Sequence, residues 1–126
     1  MNIDIVSIHG QGDADAEFVY LKVTQDCNLQ FYMLTDSTYV DESHISNKLR
    51  HLYWFPDQQV KAGDRIILST NIGTKSTSLE DGVTTHYLYW NLKQPVWNNT
   101  GDTAVLLNLN GWKSKAAFNS LARLAA

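Results

Sequence analysis

Glu17-Phe18-Val19-Tyr20-Leu21-Lys22-Val23-Thr24 is the stretch that decides the fold class. On an extended chain Val19, Leu21 and Val23 share one side, and Phe18, Tyr20 and Lys22 share the other. β-Branched and aromatic residues dominate it, which suits a pleated, half-buried surface. The same rhythm recurs on both sides. In residues 2–8 β-branched apolar residues dominate, and a glycine-bearing polar turn, residues 10–15, separates them from the first stretch. Downstream, Leu29, Phe31 and Met33 alternate. His51-Leu52-Tyr53-Trp54-Phe55 reads as a strand ended by Pro56, and Val60-Lys61-Ala62-Gly63-Asp64 as a turn into a strand at 65–70. Residues 71–84 are polar, carry Gly73 and Gly82, and read as the longest loop. His86-Tyr87-Leu88-Tyr89-Trp90 is a short aromatic strand, residues 103–109 are another, and Asn110-Gly111 is the strongest hairpin dipeptide.

Two stretches depart from this period. Residues 41–50 read either as one or two helical turns capped by Asp41, with Ile45 and Leu49 four apart, or as a polar loop. In Ser114-Lys115-Ala116-Ala117-Phe118-Asn119-Ser120-Leu121-Ala122-Arg123-Leu124 the apolar residues fall at helical spacing, with Ser114 as cap. A helix that short needs something to dock on. It packs over a sandwich edge, or docks into a partner or into a second copy as a weak homo-oligomer. Short strands separated by turn signals predict an all-β, immunoglobulin-like antiparallel β-sandwich with a short C-terminal helix. The domain is residues 1–112 and the helical tail is residues 113–126.

Composition narrows the function. The 126 residues suit a single domain. Ten Lys and Arg face thirteen Asp and Glu, a net charge of −3, and the positive charges are scattered, so nucleic acid is disfavoured as a partner. No apolar run reaches the ~18 residues of a membrane span. Residues 1–12 show no secretory leader, so the expected compartment is cytoplasmic for a complete chain and extracellular if a leader was removed. The single cysteine, Cys27, follows Asp26, and a nearby acid raises a thiol pKa.

Few residues are arranged for chemistry. The turn acids Asp13, Asp15 and Glu17 alternate and should point into water; the loop lacks the ligand set of a calcium site. His9, His44, His51 and His86 have no metal-ligand spacing, Ser7 is merely adjacent to His9, and there is no nucleophile elbow. Gly10 and Gly12 form a turn rather than a dinucleotide fingerprint. No catalytic residue, metal ligand or cofactor site is expected. The aromatics are denser. In 86–90 the alternation puts Tyr87 and Tyr89 on one face and Leu88 and Trp90 on the other, and Tyr87, Tyr89 and Trp90 are the candidate binding surface. In Asn98-Asn99-Thr100-Gly101-Asp102, Asn98, Asn99, Gly101 and Asp102 are structural turn residues: Asn and Gly accept left-handed backbone angles, and the polar side chains reach nearby amides.

Several of these segments together are similar to the lamin tail domain, in its bacterial form. The likeness runs through residues 3–8, the acidic turn, residues 17–24, residues 29–36, Trp54-Phe55-Pro56 and Lys61-Ala62-Gly63-Asp64. Its most specific part is Tyr89-Trp90 followed by Val96-Trp97-Asn98-Asn99-Thr100-Gly101-Asp102-Thr103-Ala104-Val105-Leu106-Leu107 and Asn110-Gly111. It covers roughly residues 1–112. Phe31-Tyr32-Met33-Leu34 stands where the family often has Leu-x-Gly-Trp, and residues 37–50 are longer than the usual connection. The resemblance implies an immunoglobulin-like sandwich and a non-enzymatic interaction or tethering module. On that reading the chain recognises an as yet unnamed protein partner. The alternative is a carbohydrate-binding module that stacks glycans on exposed aromatics.

Overall fold

Val19, Leu21 and Val23 are all fully buried, so the alternation of residues 18–23 is the sheet's inward and outward rhythm. The computed structural model describes residues 1–41, 44–45, 49–98 and 101–118, with backbone alone at 39–41 and 44–45. Its strands are β1 (Ile3–His9), β2 (Phe18–Val23), β3 (Cys27–Asn28), β4 (Tyr32–Asp41), β5 (His44–Ile45), β6 (Leu52–Trp54), β7 (Gln59–Val60), β8 (Arg65–Ser69), β9 (Ser76–Glu80), β10 (Val83–Tyr89) and β11 (Asp102–Asn108), with a single 3-10 turn at Leu29–Phe31. A five-stranded sheet has the order β1-β2-β8-β10-β9. A second sheet has the order β11-β4-β5, with β6 also paired to β4, and β3 pairs β7 separately. Ile3, Leu21, Ile66, Leu68 and Leu88 of the first sheet join Tyr32 and Leu34 of β4, together with Phe55, Val60 and Trp97, in one core cluster.

The first sheet is mixed rather than antiparallel throughout. β10 runs parallel to β8, while β9 is antiparallel to β10. The chain leaves β8, passes over one strand position to form β9 at the edge, and returns to insert β10 between them. That step spans about 10 Å, within reach of residues 70–75. Residues 71–84 are therefore largely a hairpin. Its turn is Asp81-Gly82, both at positive φ (52° and 77°), with Glu80 opposite Val83. Every residue of β9 is exposed, so its sequence carries no apolar stripe to read. The stronger-looking Asn110-Gly111 follows β11, and no described strand comes after it.

Three further expectations are corrected. Leu29, Phe31 and Met33 do not form one strand face. The Asn28 side chain accepts a hydrogen bond from Gln30 N (2.9 Å) and caps the 3-10 turn. That turn resets the register, so Tyr32 and Leu34 face the core. Asp41 does not cap a helix: it ends β4 and pairs with His44 of β5, because the chain folds back along β4 and β-pairing satisfies its backbone. The rest of that stretch lies outside the described residues. In the tail, Ser114 to Phe118 are not helical, and all five are exposed. Ala117 and Phe118 are not buried against any described residue, and a short helix does not form alone. The remainder of the expected helix, residues 119–124, lies outside the described residues, as does any association through it. Among the described residues no helix is long and apolar enough to cross a membrane.

Candidate functional site

The acidic turn does not send all its carboxylates into water. Asp13 N donates to Gly10 O, and the Ala16 and Glu17 amides donate to Asp13 O, so residues 10–17 are a closed turn with no two-residue rhythm. Asp13 and Asp15 are exposed, but Glu17 is only 1% exposed. Its carboxylate accepts from Val96 N (2.6 Å) and Trp97 N (3.1 Å), and more weakly from Gly12 N (3.4 Å). This buried carboxyl group ties the start of β2 to a segment about eighty residues away. Among the described residues no three His, Cys, Asp or Glu side chains gather as a metal site.

The histidines are more ordered than their spacing implies. His86 lies on the buried face of β10, and its Nε2 is 2.9 Å from Asp64 Oδ2. Its Nδ1 is 2.6 Å from Gln58 Nε2. The Lys61-Ala62-Gly63-Asp64 turn, with Gly63 at φ +93°, presents Asp64, which also accepts from Lys61 N (3.0 Å). With Nε2 donating to Asp64 and Nδ1 accepting from Gln58, both ring nitrogens are used, and the buried imidazole has no free site for a substrate proton. Burial pushes the Asp64 carboxyl up. Hydrogen bonds from the His86 ring and the Lys61 amide, and a further one from the Thr84 amide, outweigh it, and the net pKa lies below the usual carboxylate value. A lowered folded-state pKa stabilises the fold above the unfolded carboxylate's pKa, about 4. That contribution is lost as pH falls through the folded value. Asp64→Asn is expected to lower unfolding stability by about 1–3 kcal/mol near neutral pH. The gap from the parent should close on acidification below pH ~4, as read by urea denaturation. A gap constant with pH would contradict an ionised Asp64 in the fold.

His51 donates from its backbone N (2.7 Å) to Asp36 Oδ1, a fully buried carboxylate, and its Nδ1 lies 3.2 Å from the same oxygen. The imidazole also meets Trp90 edge-on. Ser7 and His9 fall on the same side of β1, and Ser7 Oγ is 2.7 Å from His9 Nε2. The pair is exposed, and His9 stacks on Phe18 at 4.7 Å. Among the described residues no carboxylate orients His9, and no hydroxyl pairs with His51, so neither site assembles base, orienting acid and nucleophile together. The His44 side chain lies outside the described residues. Burial, and then the charge of Asp26, push the Cys27 thiol pKa up, which disfavours the thiolate.

The candidate aromatics divide three ways. Tyr87 lines a shallow groove with Tyr20 and Ile67 on the outer face of the five-stranded sheet. Tyr89 lines a different cleft, beside Tyr53 and Gly73. Trp90 turns towards the core and packs against Tyr53 (5.8 Å) and Trp97 (6.1 Å). The most exposed aromatic cluster is one the sequence reading did not single out. Phe31, Trp54 and Trp112 are 40%, 45% and 44% exposed. Trp112 meets Trp54 edge-to-face (4.9 Å, 87°) and Phe31 at 5.4 Å, and Trp54 Nε1 donates to Gln30 O at 2.7 Å. No sequence period links Trp54 to Trp112. The turn before β11 holds Gly101 at φ +97°, and Asp102 Oδ2 accepts from Asn98 N (3.1 Å). Asn99 lies outside the described residues.

Comparison with known proteins adds no assignment to this geometry: no family model matches the chain, and no curated protein matches it.

Proposed function

We propose that the chain is a non-catalytic interaction module, an immunoglobulin-like sandwich of the lamin tail kind, that recognises a protein partner. The observation that carries this reading is the Phe31–Trp54–Trp112 cluster, in which Trp112 packs on both other rings and each is about two-fifths exposed. Contiguous exposed aromatics mark interaction surfaces, and tryptophan is the residue type most enriched at energetic hot spots. The hydrogen bond from Trp54 to Gln30 satisfies the indole N–H and fixes the ring, so little freedom is lost on binding. The perpendicular ring planes favour irregular apolar side chains over a flat sugar ring. Histidines with occupied nitrogens or no nucleophile fit a module without catalysis.

The test is capture of partners on the immobilised chain, followed by binding of the purified partner. Trp54→Ala and Trp112→Ala are each expected to weaken binding by about 30-fold, the equivalent of a 2 kcal/mol hot spot. Equal affinity for the parent and both folded variants would overturn the patch as the contact surface.

A further inference from the structure

A second recessed surface lies away from the aromatic patch and shares no residue with it. It is a cleft of about 390 Å³ lined by Tyr53, Pro56, Gly73, Lys75, Tyr89 and Asn91, among others. A smaller depression of about 160 Å³ shares Lys75 and continues to Gln58 and Thr77. The chain has thirteen acids and a net charge of −3, yet no carboxylate lines either recess. Lys75 is exposed and makes no ion pair among the described residues. A lone cation in a cleft without acids selects an anionic ligand.

The cleft is also preassembled. A Cβ on Gly73 would fall 2.5 Å from two ring carbons of Tyr89, so the ring occupies the space a side chain at 73 would need. Gly73 is not in the left-handed region, so glycine is needed there for room and not for backbone freedom. Asn91, at φ +62°, accepts from Gly73 N (3.0 Å) and donates to Tyr89 O (3.4 Å), which holds loop and strand together. The Asn91 and Leu92 amides extend the ladder to Asn71 and Thr70. Burial of Tyr53 pushes its phenol up to about 12, so it stays an O–H at neutral pH. Two tyrosine rings and a proline offer apolar faces, and neutral amide and hydroxyl groups surround them. That mixture suits the C–H face and hydroxyls of a sugar, with the one cation left for a single carboxylate.

We propose that this cleft binds an acidic saccharide, with a uronate carboxylate on Lys75 and a sugar face on the Tyr89 ring. Calorimetry with tetragalacturonate tests it, beside the neutral methyl ester of the same tetramer and a tetraglutamate peptide. Tetragalacturonate is expected to bind best. Lys75→Gln should weaken it about tenfold, the worth of one charge-assisted contact, and leave the methyl ester unchanged. Gly73→Ala displaces the ring without touching Lys75 and should weaken both sugars about tenfold or more. Trp112→Ala, which alters only the aromatic patch, should change neither. If Gly73→Ala lowers the thermal midpoint below the assay temperature, Tyr89→Ala reads the same contact. No heat with tetragalacturonate at millimolar concentration, or binding indifferent to Lys75→Gln, overturns the proposal. Tighter binding of tetraglutamate makes the cleft a peptide site and overturns it equally.

Discussion

Glu17→Ala is expected to lower unfolding stability by about 3–5 kcal/mol, measured by equilibrium urea denaturation. The side chain is buried, and its two oxygens accept from the amides of Val96 and Trp97, with a weaker bond from Gly12. Alanine would leave these donors facing each other with no acceptor, in a site the chain walls off from solvent. An unpaired buried N–H costs about 1–3 kcal/mol, and two are lost at once. Glu17→Gln separates charge from geometry. Its carbonyl oxygen can serve one amide, while its NH2 group opposes the other, so about half the loss is expected to remain. Hydrogen exchange localises the effect: the Val96 and Trp97 amides should exchange faster in Glu17→Gln, and those of β4 should not. A loss under ~1 kcal/mol for Glu17→Ala would mean that water replaces the carboxylate at these amides.

The same residue shows where the sequence is legible and where it is not. Alternation is a local property: it separates Val19, Leu21 and Val23 from their neighbours in β2, and Leu88 from Tyr87 and Tyr89 in β10, but only the packing of the sheets shows that Val19, Leu21, Val23 and Leu88 are the buried set. The acids of residues 13–17 follow the same two-residue spacing, but the chain there is a turn closed on Asp13, so the spacing says nothing about direction. What buries Glu17 is a pair of amides 79 and 80 residues away, and no local pattern encodes that. Trp54 and Trp112 meet for a comparable reason, through strand order and the path of the chain after β11. β9 fails differently. It is held by backbone pairing alone and exposes every side chain, so its sequence need only avoid disrupting an edge. The asparagine cap at 28 was readable in principle as a side-chain–backbone turn, and missing it shifts the inward set of β4 by one residue.

Trp97→Ala is the other substitution with a large expected effect, about 3–5 kcal/mol. Trp97 is the largest fully buried side chain and sits beside the Glu17 anchor, so removing it opens a cavity where the segment before β11 meets the core. Its indole N–H has no partner among the described residues. That atom is a standing penalty, and Trp97→Phe removes it while keeping most of the ring. Trp97→Phe is therefore expected to lose only about 1–2 kcal/mol. The damage from alanine should also spread in a readable direction. Trp97 packs on Trp90, and Trp90 packs on Tyr53, whose phenol is held up to about 12 by burial. With Trp97 gone, Trp90 loses its support, water approaches Tyr53, and the phenol pKa falls towards its ordinary value near 10. Spectrophotometric titration of tyrosinate reads that shift, and Trp97→Phe should show little of it. Equal losses from the phenylalanine and alanine variants would instead assign the N–H a bond that stabilises the fold, and an unmoved Tyr53 would confine the collapse to Trp97 itself.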